Sequence, residues 1–179
     1  MRNEIGAKAE AAESRLAISD LLLEEGRPEQ SETAARELVE VFRQLKDPDS
    51  EASAHAAQAR ALLAQSRTAE AQKAAARAGA LSAKSQKQGL RLAVTTTLAQ
   101  VRAAAGKPAE ARQSLQKVIA DSAKAGLIGF QFDARLALAE VDKKSGQAAA
   151  ARAGLEALEK EAVAKGFGLI ARKAAAAKQ

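Results

Sequence analysis

A 40-residue period runs through the chain. Gly26, Ser66, Gly106 and Gly146 stand 40 apart; a small residue follows each by five positions (Ser31, Ala71, Ala111, Ala151) and another precedes each by seven (Ser19, Ala59, Ala99, Ala139). The core of a globular enzyme has no reason to keep such a register. A stack of helical hairpins does, because each unit must offer its neighbour the same surface, and side-chain bulk is excluded where backbones approach closely.

Composition agrees with helices packed through small residues. Of 179 residues, 47% are hydrophobic, but 48 of them are alanine, the best helix former and a poor space filler. There are four phenylalanines, no Trp or Tyr, and three prolines. Strand-favouring residues are too sparse for a sheet. The absence of cysteine excludes disulfides, thiol catalysis and thiolate-bound metals, and it fits a reducing cytoplasm, the location we expect. No run of about 18 apolar residues could span a bilayer, and the opening residues lack the apolar stretch of a signal peptide. The net charge of +6 is uneven: residues 1–83 hold 11 Lys/Arg against 14 Asp/Glu, and residues 84–179 hold 17 against 8. An acidic first half and a basic second half suit steering of an acidic partner, head-to-tail association, or simply a solvated surface.

Punctuation places the helices. Residues 7–25 read as a first helix stopped by Gly26. Pro28 suits the first turn of a second helix, which runs to about Leu45 through Ala35, Leu38, Val39 and Phe42, a helical face. Asp47-Pro48-Asp49-Ser50 reads as a turn that caps a third helix over about residues 50–65, and Thr68 as the cap of a fourth. Further helices follow over about 89–105, from Pro108 through Leu115, Val118 and Ile119, over about 127–144, from Gly146 through Leu155 and Leu158, and from Phe167 to about Lys178. Connections between units keep the period too, at Gly6, Lys46, Gln86, Gly126 and Gly166. Gly6 therefore falls where a connection belongs, and the expectation is that the chain is the C-terminal piece of a longer protein. The second unit reads as the softest: Ala75, Ala78 and Ser82 stand where the first has Ala35, Leu38 and Phe42.

The order small residue, glycine, alanine in Ala99…Gly106…Ala111 and Ala139…Gly146…Ala151, with the phrases Glu25-Gly26-Arg27-Pro28-Glu29 and Ala105-Gly106-Lys107-Pro108-Ala109-Glu110-Ala111, resembles the tetratricopeptide repeat (TPR) family. The usual unit of that family has about 34 residues; the 40-residue form is similar to repeats of bacterial signalling and transcription-regulating proteins. The resemblance implies an all-α, right-handed α-solenoid forming one domain over residues 1–179. Its four hairpins cover about 7–46, 47–86, 87–126 and 127–166, and a capping helix covers 167–178.

Little in the chain points to catalysis. His55 is the only histidine, where acid–base or metal chemistry needs positioned partners. There is no phosphate-binding glycine loop and no Ser/His/Asp set. No catalytic, cofactor or metal residue is assigned, and the expectation is a non-enzyme without cofactor. Lys143-Lys144 and Arg172-Lys173 could meet phosphates, but the scarcity of aromatics argues against nucleic acid. The scarcity of bulky apolar anchors argues against a membrane surface. What remains is a module that binds a protein or peptide, as a scaffolding or regulatory part of a larger bacterial protein. The resemblance implies a groove lined by the first helix of each hairpin, with Asp20, Glu24, Arg60, Leu63, Gln100, Asp133, Leu136, Glu140 and Lys143 as binding positions. The alternatives are a structural spacer and a homodimer joined through the N-terminal solenoid end near Leu16, Leu21 and Phe42.

Overall fold

The computed structural model describes the backbone of residues 2–178 and the side chains of residues 6–178. The described residues are all-α, with nine helices and no strand: α1 (Arg2–Glu24), α2 (Pro28–Gln44), α3 (Pro48–Ala64), α4 (Thr68–Ser82), α5 (Gln88–Ala104), α6 (Pro108–Lys124), α7 (Ile128–Lys144), α8 (Ala148–Ala164) and α9 (Gly168–Ala177). The chain divides into two compact units, Met1–Val101 and Arg102–Gln179. In the first, α2 packs on α1 and α3, α4 packs on α3, and α1 reaches α3; in the second, α7 packs on α6 and α8, and α9 packs on α8 and reaches α7. Contact with the next helix and with the next but one is the packing of stacked hairpins.

One turn recurs with a half-period of 20 residues. At the end of α1, the Arg27 N–H donates to the Leu22 carbonyl and the Gly26 N–H to the Leu23 carbonyl, the paired bonds of a Schellman motif. The same pair closes α2, α3, α5, α6, α7 and α8. The residue in the left-handed conformation is Gly26, Lys46, Ser66, Gly106, Gly126, Gly146 or Gly166. The next residue then serves as N-cap of the following helix. Three residues thus reverse the chain, and proline follows at the first helical position of α2, α3 and α6.

Four sequence expectations need correction. Gly6 is not a connection: α1 begins at Arg2 and runs through Gly6 without a break, since a helix once started tolerates a single glycine. Thr68 does not cap α4; Arg67 holds that position and Thr68 is the first helical residue. Gly166 is a connection as expected, but α9 begins one residue later than expected, at Gly168, with Phe167 as its N-cap. Gln86 is not such a turn. α4 stops two residues short of its counterparts, and residues 83–87 form a longer connection. It is held by Ser85 Oγ, which accepts from the Lys87 N–H at 3.0 Å, by Arg91, which donates to the Ser85 carbonyl, and by Lys87 Nζ, 3.2 Å from Asp49. The Ser85 hydroxyl and Lys87 hold the Asp49 carboxyl below its ordinary range.

The small positions are where the period places them. Ser19, Ala59, Ala99 and Ala139, and Ser31, Ala71, Ala111 and Ala151, are all buried. In the first hairpin the two serines meet: Ser19 Oγ lies 3.2 Å from the Ser31 carbonyl and 3.3 Å from Ser31 Oγ, so the buried hydroxyls satisfy each other. Bulkier residues fill the space beside this seam. Leu38, Val39 and Phe42 of α2 pack against Ala12 and Ala54 in the first unit; Phe132, Leu155, Leu158 and Ile170 form the core of the second. α4 presents Ala74, Ala75 and Ala78 instead. A β-carbon placed on Gly79 would come within 3.0 Å of Leu98 Cδ1, so Leu98 of α5 occupies the space that glycine leaves on this thinner helix.

Candidate functional site

The odd-numbered helices carry the positions expected to bind. Asp20 on α1 and Arg60 on α3 occupy the same register position of successive repeats, and Arg60 Nη2 meets Asp20 Oδ1 at 2.5 Å. Arg60 Nη1 reaches Thr97 Oγ1 of α5 at 3.5 Å, so one guanidinium links three successive odd-numbered helices. Arg60, Asp20 and Gln100 are half-buried, and Glu24 is exposed. Leu63 is half-buried and packs against the Leu62–Val101 cluster.

In the second unit the corresponding positions have separate fates. Asp133 and Glu140 are exposed on α7. Leu136 is 9% exposed and belongs to the core under α9, beside Phe132, Leu158 and Ile170. Lys143 Nζ donates to the Ala177 carbonyl at 2.9 Å, satisfying an acceptor that the end of α9 leaves open. α9 is further anchored through Phe167, whose ring meets Phe132 edge-on at 5.1 Å. Arg135 lies over the Phe132 ring and pairs with Glu161 at 2.5 Å. On α7, burial pushes the Asp142 carboxyl up, against the pull of Arg112 Nη2 at 2.6 Å from Oδ1; that oxygen receives no aligned hydrogen bond.

A second feature was not visible in the sequence. A cleft of about 330 Å³ opens between α2, α3 and α4, lined by Glu32, Arg36, His55, Arg67, Lys73 and Arg77 among others. Its one advance signal is the spacing of Glu70, Lys73, Ala74 and Arg77, a single polar face of α4. Glu32 is 7% exposed, with Arg36 at 3.4 Å and Arg67 at 3.9 Å. His55 is buried as well, with Nε2 3.8 Å from Glu51 and Nδ1 without a hydrogen-bond partner. Burial holds its pKa below the ordinary 6.5, with Glu51 opposing and Arg43 and Arg77 assisting. The imidazole is therefore neutral at pH 7 and set among arginines, a packing role that a lone histidine on an alanine-rich helix suggests.

No family model and no curated protein matches the sequence. Solved structures do. A kinesin light chain-like protein of Podosopora anserina with nearly identical TPR-like repeats matches with a TM-score of 0.55 and 20% identity over 91% of this chain and 84% of that one. A variant of the same protein matches with a TM-score of 0.59 and 19% identity over 93% and 85%. At this identity the likeness shows the fold alone: an all-α, TPR-like helical repeat. No helix among the described residues is long and apolar enough to cross a membrane.

Proposed function

We propose that this chain is a non-catalytic module that binds a protein or peptide along its odd-numbered helices, as the scaffolding or regulatory part of a larger bacterial signalling or transcription-regulating protein in the cytoplasm. The observation that carries this reading is the Asp20–Arg60–Thr97 linkage. It holds polar side chains at one register position of three successive helices, on a scaffold whose backbone is fixed by repeated turns. Recognition groups on rigid elements lose little entropy on binding. Asp20, Glu24, Arg60, Leu63 and Gln100 form the recognition surface of the first unit. In the second, Asp133, Glu140 and Lys143 supply the polar contacts, and Leu136 supports them from the core. The domain is the single array of four hairpins, with α9 as its cap.

The test is a peptide-array screen with the purified chain, followed by titration of the best sequence. Arg60→Glu and Gln100→Ala together should weaken that peptide by about tenfold or more with the helical spectrum unchanged, since both residues are half-buried at the surface. Unaltered affinity in the double variant overturns the assignment of the surface. Absence of any selected sequence overturns the peptide-binding reading and favours a spacer.

A further inference from the structure

The cleft between α2, α3 and α4 does not depend on the peptide surface proposed above. His55, Gln58 and Leu62 share one face of α3 by their spacing, and Arg60 lies off that face. Buried Leu62 and Ala74 give the cleft an apolar floor, which His55 lines as well. His55 is 9% exposed, and its Nδ1 makes no hydrogen bond. A volume of about 330 Å³ suits a small ligand or a single side chain, not a helix.

The charges around that floor do not balance. Arg36, Arg67, Lys73 and Arg77 line the cleft against two acidic residues, Glu32 and Glu70. Both carboxylates are already engaged. Glu70 gives its two oxygens to Arg67 at 2.7 and 2.6 Å; Glu32 faces Arg36 with one oxygen at 3.4 Å and Arg67 with the other at 3.9 Å. Lys73 and Arg77 remain. Among the described residues neither makes an ion pair or a hydrogen bond; Lys73 acts on Glu70, and Arg77 on His55, only at longer range. They stand four apart on α4, a placement of like charges that weakens a helix unless an anion lies between them. The scaffold does not require the pair: the same two positions hold Thr33 and Glu37, Gln113 and Lys117, and Ala153 and Ala157 in the other repeats.

We infer that this cleft is a binding site for a phosphate monoester, its dianionic head held by Lys73 and Arg77 and its carbon stem lying on Leu62 and Ala74. Two uncompensated cations match a group whose charge is close to −2. A planar guanidinium and a compact ammonium divide its oxygens between them. A sulfate ester of the same shape brings a single charge, and a dicarboxylate spreads its two over separate carbons.

His55 is the only histidine, so its ring protons give isolated nuclear magnetic resonance signals in the cleft. The probes are butyl phosphate, butyl sulfate and succinate, added at constant ionic strength and about pH 8, where the phosphate is a dianion. Butyl phosphate should shift the His55 signals saturably, and the other two should bind at least about fivefold more weakly. Lys73→Ala with Arg77→Ala, which reproduces Ala153 and Ala157, should keep the helical spectrum and weaken butyl phosphate by about tenfold or more. Lys73→Gln alone, at an exposed side chain and reproducing Gln113, should act in the same direction. A capped alanyl-phosphothreonyl-alanine peptide separates the two sources of such a group. Tighter binding than butyl phosphate assigns the site to a phosphorylated protein segment; equal or weaker binding assigns it to a free phosphate ester. Three results overturn the proposal: no saturable shift up to ~10 mM butyl phosphate, equal binding of the three anions, or equal binding of butyl phosphate by the variants.

Discussion

Asp20 and Arg60 stand 40 residues apart in the chain and 2.5 Å apart in space. The pair records the repeat directly: one register position, two successive repeats, opposite charges. Both side chains remain partly open to solvent, at 49% and 31%, so the pair is a modest contributor to stability. A double-mutant cycle of Asp20→Ala and Arg60→Ala should give a coupling of about 0.2–1 kcal/mol in urea unfolding. A coupling near zero would mean that the pair does not bridge α1 and α3 in solution.

The seam of small residues should not tolerate bulk. Ala111 is fully buried opposite the turn at Gly106, and Ala111→Leu should cost about 1–3 kcal/mol. Replacing Ser19 and Ser31 together by alanine should be nearly neutral, because both partners of one buried contact are removed and the result reproduces Ala59 and Ala71. Chemical unfolding of the two variants distinguishes bulk from polarity as the governing property.

Two turns hold side-chain residues in the left-handed conformation, Lys46 at φ 57° and Ser66 at φ 61°. Lys46→Gly and Ser66→Gly should each raise stability by about 1 kcal/mol, and Gly146→Ala, at φ 83°, should lower it by a similar amount. Unfolding midpoints of the three variants check the sign at each position.

His55 makes stability depend on pH. Its folded-state pKa is lowered, so the unfolded chain binds more protons as pH falls through 6.5. The stabilisation is fully present above 6.5 and is lost progressively as pH drops toward the folded-state value. His55→Gln should flatten the unfolding free energy between about pH 7.5 and 5.5 relative to the unaltered chain. An unchanged slope would mean that the imidazole titrates alike in the folded and unfolded chain, and a reversed one that Glu51 outweighs burial.

The second hairpin should open most readily among the internal repeats. α4 contributes Ala75, Ala78 and Ser82 at positions where α6 has Leu115, Val118 and Ser122 and α8 has Leu155, Leu158 and Ala162. Each buried methylene forgone removes roughly 0.8 kcal/mol. Hydrogen exchange followed by mass spectrometry should show residues 50–86 exchanging fastest; equal protection of all four hairpins would contradict this.

Much of the architecture was legible because it rests on local chemistry repeated in phase. Glycine at five of the turns, proline at the start of three helices, and small residues at the seam answer the needs of a turn and of a close approach, and each appears in the sequence at its own position. The misreadings share a cause as well. At Gly6 the register points to a turn, but an isolated glycine ends a helix only when the residues around it make the paired bonds seen at Gly26. At Gln86 the register held while the geometry did not, because α4 ended early and the connection found other anchors in Asp49 and Ser85.

The sequence by itself determined the helices, their reversal every 20 residues and the small seam between them, since these depend on backbone conformation and on bulk at single positions. Only the tertiary structure decided which partners the side chains take. Leu136 entered the core because α9 folds over it, Lys143 turned to the end of that helix, and the polar residues of α2, α3 and α4 converged on a cleft around His55. Those outcomes depend on where successive helices come to lie against one another. No local preference of residues so far apart in the chain encodes that.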